Sequence, residues 1–321
     1  MNSLDKKVLQ ELTINSRQSY KQIAKKINSK KDSVAYSIKK LEQKGIISKY
    51  VPIFSLNKLN FFTVKMYLNL KGLNNENEKN ILNWLKNNKK IVWVAKSVGT
   101  WNLMIGLNLN SLHHFANEKR LILNKIGKFV SNYTISFIED AYSFDRRYLF
   151  KTIKPRKEFV YGGNIDHIKL NKKELELIQL IKNNARFEYA NISKKLNIDA
   201  RTIKHKLDLL KQKGILQGYT TFLNINKIGY QLHKLCIYLN SFDKKSEEMI
   251  TEYLKINPNT IHLIKCVGDW ELEVEIEHNN IIKIHEYIAE LRNKFPEVIK
   301  QIDLITITKE EKLDFFPNIN N

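Results

Sequence analysis

Two helical segments carry the residues best suited to chemistry. Ser33, Tyr36, Ser37 and Lys40, with Lys30 and Lys31 at the segment's start, face away from an inward stripe of Val34, Ile38 and Leu41. Arg201, Thr202, His205 and Lys206 face away from a second stripe of Ile203, Leu207 and Leu210. Hydroxyl and cationic groups gathered on one face of a helix can hydrogen-bond base edges. Flanking ammonium groups such as Lys25, Lys26, Lys194 and Lys195 can neutralise phosphate. The chemistry is recognition of a polyanion, and the net charge of +21 agrees with it. Double-stranded DNA is the expected partner.

Other chemistries leave little trace. There is no P-loop, dinucleotide glycine fingerprint, HExxH or paired-cysteine motif, and glycine occurs only 11 times. No catalytic residues, cofactor or metal site, and hence no enzyme, are expected. The pair His113-His114, and His278 with His285, read as solvated helix ends. The alternating Glu271, Glu273, Glu275 and Glu277 read as surface or interface charge rather than as metal ligands. Cys236 and Cys266 each lie in an apolar run, so both are expected as buried reduced thiols. No run of about 18 uncharged apolar residues occurs, so the expectation is a cytoplasmic protein with no membrane partner.

The two charged helices belong to a repeat. Ile23-Ala-Lys-Lys-Ile-Asn28 recurs as Ile192-Ser-Lys-Lys-Leu-Asn197, and Leu41-Glu-Gln-Lys-Gly-Ile-Ile47 as Leu210-Lys-Gln-Lys-Gly-Ile-Leu216. Val98-Gly-Thr-Trp-Asn-Leu103 recurs as Val267-Gly-Asp-Trp-Glu-Leu272 in the same register. A two-domain unit is therefore present twice. The expected divisions are a winged helix-turn-helix at 1–54, a ferredoxin-like domain at 55–144, a linker at 145–169, a second winged helix-turn-helix at 170–223 and a second ferredoxin-like domain at 224–321. Pro155 and Gly162-Gly163 make the connector read as extended. Charge separates the domains too, since residues 220–321 are net acidic while every preceding stretch is net basic.

In each first domain, helical periodicity predicts three helices. Val8, Leu9 and Leu12 (Leu177, Ile178 and Ile181 in the repeat) mark the first, and Ile23 and Ile27 (Ile192 and Leu196) the second. The third is the charged one. Ser29 and Asp32 have the form of a capping box, Asp199 suits an N-cap, and Gly45 and Gly214 stop the third helices. The alternation in Ile46–Phe54 and Ile215–Phe222 predicts a small hairpin wing in each copy.

Each second domain reads strand, helix, strand, strand, helix, strand. Strands are expected at Phe61–Leu70, Ile91–Val98, Trp101–Leu109 and Phe129–Ile138, with helices near Glu76–Asn87 and Ser111–Ile126. The repeat places strands at Tyr230–Asn240, Thr260–Val267, Trp270–Glu277 and Val298–Thr308, with helices near Lys244–Ile256 and Asn280–Phe295. This is an α+β fold of two winged helix-turn-helix domains alternating with two ferredoxin-like βαββαβ domains. A sheet with helices on one face only needs a partner for the other face.

The run Leu41-Glu-Gln-Lys-Gly-Ile-Ile, the wing and the glycine-aromatic hairpins resemble the Lrp/AsnC family of feast-or-famine regulators over nearly all of both halves. The resemblance implies sequence-specific, DNA-binding transcriptional regulation, self-association through the ferredoxin-like domains as an intrachain pair or a homo-oligomer, and a small effector such as an amino acid. It places that effector at Gly99, Trp101 and Asn102, and at Gly268, Trp270 and Glu271. The family's aspartate at the fourth hairpin position is replaced by Asn102 and Glu271. Sirohaem decarboxylases share the architecture and stand as the enzymatic alternative. A non-specific DNA-binding architectural protein stands as another.

Overall fold

The computed structural model describes residues 1–150, 156–240, 243–314 and 316. Pro155 of the connector lies outside them. The first half runs through α1 (Ser3–Ile14), α2 (Tyr20–Ile27), α3 (Lys31–Gln43), β1 (Ile47–Phe54), β2 (Phe62–Leu70), α4 (Asn75–Asn87), β3 (Ile91–Gly99), β4 (Leu103–Leu109), α5 (Leu112–Ile126) and β5 (Val130–Phe144). After β6 (Glu158–Gly162) the second half repeats the series as α6 (Lys172–Ile181), α7 (Tyr189–Leu196), α8 (Ala200–Gln212), β7 (Leu216–Leu223), β8 (Gln231–Leu239), α9 (Lys244–Ile256), β9 (Thr260–Val267), β10 (Leu272–His278), α10 (Ile281–Lys294) and β11 (Ile299–Leu313).

The chain alternates between two compact units. Unit 1 comprises Met1–Ser55, Tyr142–Tyr161 and Ile168–Tyr230, and unit 2 comprises Leu56–Ala141, Gly162–His167 and Gln231–Asn321. Like domains of the two halves are thus gathered together, the winged helices in one unit and the ferredoxin-like domains in the other.

In unit 1 the stripes Val8–Leu9–Leu12, Ile23, and Val34–Ile38–Leu41 are buried, as are their counterparts in the second half. Helix starts are fixed locally. Asn2 with Asp5, Ser19 with Gln22, and Asn171 with Glu174 form capping boxes, and Asp199 accepts from the backbone of Arg201 and Thr202. Ser29 and Asp32 form no such box. Helix α3 begins at Lys31 with Lys30 as N-cap and no side-chain cap, while the Ser29 N–H is spent on Ala24 O at the end of α2. Asn28 and Asn197, both left-handed, make the turn between the second and third helices of each copy.

The wings differ from expectation. Neither copy forms its own hairpin. Strands β1 and β7 instead pair antiparallel with each other, from Ile47 opposite Leu223 to Phe54 opposite Leu216. One strand from each copy satisfies the other's backbone, so the two winged helices share a single ribbon.

Unit 2 has the strand order β2-β4-β3-β11-β8-β10-β9-β5, and an additional β2–β5 pairing closes it into a ring. Each half supplies the ferredoxin-like order β5-β2-β4-β3 or β11-β8-β10-β9. The cross-half joints are β3 with β11 and β9 with β5. Strand β11 extends to Leu313 because its far end pairs with β3 of the first half, Ile305 opposite Gly99 through Leu313 opposite Trp93. Helices of the first half cover one face of its strands, where Val64, Met66 and Leu68 pack with Ile81, Leu85, Phe115 and Ile122. The opposite face turns into the ring.

The connector is not simply an extended linker. Strand β6 pairs with β5, and Phe159 is buried in unit 1 against Gly218, whose missing side chain makes the room: a Cβ there would lie 2.4 Å from the ring. Further on, Lys58 pairs with Asp166 at 2.5 Å and Asn57 donates to Asn164 O within unit 2. No helix is long and apolar enough to cross a membrane among the described residues.

Candidate nucleic-acid interface

Helices α3 and α8 each follow a shorter helix across a tight turn and show a polar side to solvent. On α3 and just before it, Lys30, Lys31 and Tyr36 are exposed, Tyr36 by 70%, and Ser33 is partly so. On α8, Arg201 and His205 are exposed, while Thr202 and Lys206 are partly exposed. Thr202 Oγ1 donates to the capping carboxylate of Asp199 at 2.7 Å. The exposed Lys39 and Lys204 belong to the same faces and were not singled out from periodicity.

Ser37 and Lys40 leave the groove-facing set. Ser37 is buried and donates to Asp5 Oδ1 at 2.6 Å, and Lys40 reaches Asp5 Oδ2 at 2.7 Å. Burial raises the Asp5 pKa, but the hydrogen bonds from Lys40 and Ser37 outweigh it and hold the carboxyl below its ordinary range. Asp5 therefore bolts α3 to α1. A helical wheel places Ser37 outside because the covering helix is not visible in the segment itself.

Two arginines that periodicity did not mark fix the relation between the two reading helices within unit 1. Arg17 stacks over Phe187 at 3.9 Å with Tyr189 and Tyr219 nearby, and its Nη1 donates to Ala185 O at 2.6 Å and Phe187 O at 3.2 Å. Its repeat counterpart Arg186 lies over Tyr20 and Tyr50 of the first copy, at 5.2 and 5.1 Å. Each copy thus inserts a cation into an aromatic cage of the other. Backbone contacts follow the same exchange: Ala185 N donates to Tyr50 O, and Ser16 N donates to Tyr219 O. Burial pushes the Tyr219 phenol up to about 12. The signal available in sequence was the recurrence of Arg17 and Arg186 with their tyrosines in the repeat register.

The family described as winged helix-turn-helix DNA-binding matches residues 1–48. An HTH-type transcriptional regulator of Pyrococcus abyssi, itself uncharacterised, is 33% identical over 37% of this chain and 80% of that protein. The regulator LrpA of Pyrococcus horikoshii is 27% identical over 27% of this chain and 60% of its own. The chain belongs to the Lrp/AsnC family. Among solved structures, the sirohaem decarboxylase NirDL matches 98% of this chain and 93% of its own with a TM-score of 0.63 at 13% identity, a likeness of fold.

In this Lrp/AsnC chain the hairpin residues expected to hold an effector serve the ring. Gly99 has φ +125°, and a Cβ there would lie 2.5 Å from Leu304 O; a Cβ at Gly268 would lie 2.6 Å from Ile135 O. Both glycines let the cross-half strands approach. Trp101 and Trp270 are buried. Asn102 accepts from Leu70 N at 2.8 Å and donates to Leu70 O at 2.9 Å, and Glu271 accepts from Leu239 N at 2.7 Å. The polar groups at the fourth hairpin position are engaged with backbone in both copies. Cys236 and Cys266 are buried free thiols. No group of three or more His, Cys, Asp or Glu side chains disposed to hold a metal occurs among the described residues.

Proposed function

We propose that this chain is a cytoplasmic, double-strand-DNA-binding transcriptional regulator that presents two unlike winged helices as one preset pair. The observation that carries this is the exposure of Lys30, Lys31 and Tyr36 on one reading face and of Arg201 and His205, with the partly exposed Lys206, on the other, joined by the β1–β7 ribbon and the reciprocal arginine cages. Residues contacting phosphate set affinity, and those reaching base edges set sequence. Because the two faces differ in residue type, the preferred site is an imperfect palindrome with unlike halves. The sirohaem decarboxylases share the fold, but the residues on these reading faces speak for DNA.

The test is DNA binding by the full chain, first to selected genomic fragments and then to the enriched site. Replacing Lys30, Lys31, Arg201 and Lys206 with alanine should abolish specific binding, and each lost phosphate contact should flatten the salt slope by roughly 0.9. A single base contact should be worth about 1–3 kcal/mol. Unchanged affinity in the fourfold variant would sink the regulator reading.

A further inference from the structure

The inside of the unit 2 ring is built on charge. Lys65 on β2 and Lys234 on β8 occupy matching positions of the two halves and are both buried. Both ammonium groups reach the same oxygen, Glu273 Oε2, at 2.6 Å each. Lys234 also lies 3.0 Å from Glu275 Oε1 and donates to the Tyr67 hydroxyl at 3.1 Å, while His262 Nδ1 is 2.9 Å from Glu275 Oε2. Trp270 Nε1 and Ser136 Oγ donate to the other oxygen of Glu273. Lys65, Tyr67 and Ser136 come from the first half; Lys234, Glu273, Glu275 and Trp270 come from the second.

The lysines repeat and the acids do not. Where the second half has Glu273, Glu275 and Glu277, the first has Met104, Gly106 and Asn108. The difference leaves a mark on the tryptophans: Trp270 donates to Glu273, whereas the indole N–H of Trp101, beside Met104 in its own hairpin, finds no acceptor among the described residues. Two first halves brought face to face would bury both copies of Lys65 without an inward carboxylate. Two second halves would crowd both sets of glutamates around two lysines. A buried charge without its counterion is far more costly than the pair.

We infer that the inner face of each ferredoxin-like half selects the unlike half as its partner, Lys65 on one side being matched to Glu273 on the other, so that rings of two like halves are excluded. Discrimination here is a difference between pairings, supplied by the misfit of like pairs as much as by the fit of the unlike pair. Glu273 fits that role, because burial alone would raise its pKa and the two lysines nevertheless hold it well below the carboxylate range. The selection concerns which halves meet, and the connector decides that they come from one chain.

The experiment starts from the full chain with protease sites inserted after Phe150 and after Lys169, so that the connector, whose β6 and Asp166 themselves hold the first half, is cut away from both halves. After cutting, the protein is taken through denaturant, refolded and read by native mass spectrometry, which weighs each paired complex. Random pairing would make about half of the complexes like-with-like, and selection should lower that share at least about tenfold. Like pairs at the random share in the wild type would overturn the inference. The balanced variant K65M/E273M, which leaves Lys234 its Glu275 partner, should bring like pairs back toward the random share, and its failure to do so would also count against it. On the uncut chain, E273M should lower the urea midpoint more than K65M/E273M does, because the double variant no longer buries Lys65 beside a methionine. Strictly additive losses would contradict the cross-half pairing, whereas rescue of a non-folding E273M by K65M would be its strongest form.

Discussion

The two units join the same two halves in different ways. In unit 1 the joint is reciprocal: Arg17 enters the cage of Phe187, Tyr189 and Tyr219, and Arg186 enters that of Tyr20 and Tyr50. In unit 2 it is one-sided, with lysines from both halves converging on an acid present in only one. A reciprocal joint offers an arginine and an aromatic cage on both sides, so a like pair leaves neither arginine without a cage and the joint sets distance and angle while discriminating little. A one-sided buried joint chooses. In unit 2 the difference lies at the matched repeat positions Met104 and Glu273.

The largest expected effect comes from acid. Glu273 and Glu275 have folded-state pKa values below the ordinary 4.5, with burial opposing the shift and Lys234 chiefly driving it. Their contribution is therefore whole above pH 4.5 and is lost as pH falls through the lowered folded values. Breaking a buried pair of this kind is worth on the order of 3–5 kcal/mol. Tryptophan fluorescence isolates the event, because all four tryptophans, Trp84, Trp93, Trp101 and Trp270, lie in unit 2. The acid profile of K65M/E273M should be shallower than that of the wild type, and superimposable profiles would remove the network from the account of unit 2. His233, whose ring burial lowers its pKa to about 4 from 6.5, adds a separate loss as pH falls between those values, and His233→Gln should remove that part alone.

A smaller effect tests the reciprocal joint. Arg17→Met should cost about 2 kcal/mol, since it removes stacking and two charge-assisted hydrogen bonds. Arg186→Met should cost only about 1 kcal/mol, because it removes stacking without such bonds; one Arg186 Nη1 finds no acceptor among the described residues. Urea unfolding followed by tyrosine fluorescence measures both. Both variants should also weaken DNA binding, although neither residue lies on a reading face. Equal losses would mean that the joint is more symmetric than its hydrogen bonds imply.

The smallest expected effect is none. With Asn102 and Glu271 engaged by backbone and Gly99 and Gly268 closing the ring, millimolar amino acids should leave the melting temperature unchanged in a thermal-shift screen. Stabilisation that grows with concentration would place a ligand at these hairpins after all.

Much of this was legible beforehand. The repeat register gave the element order, the buried stripes and the turn glycines Gly45 and Gly214, because these depend on residues close in sequence. The wing was not legible: Ile47 pairs with Leu223, and nothing in either strand says that its partner lies in the other copy. Ser37 was misplaced for the same reason, its burial depending on Asp5 in another helix. The glutamate stripe is visible as alternation, which implies surface or interface charge; alternation does not say that Glu273 takes a lysine from each half.

The closure of the ring also sets a timetable. Strand β3 (Ile91–Gly99) cannot acquire its outer neighbour until β11 (Ile299–Leu313) has been synthesised, some two hundred positions later. Through that interval the first half has an unpaired strand edge and an uncovered inner face, the kind of surface on which nascent chains stick to one another. The ammonium of Lys65 stands in the middle of that face. Hydrated while it waits and neutralised only when Glu273 arrives, it makes the exposed face a poor surface for neighbouring nascent chains until the right strand is there to cover it.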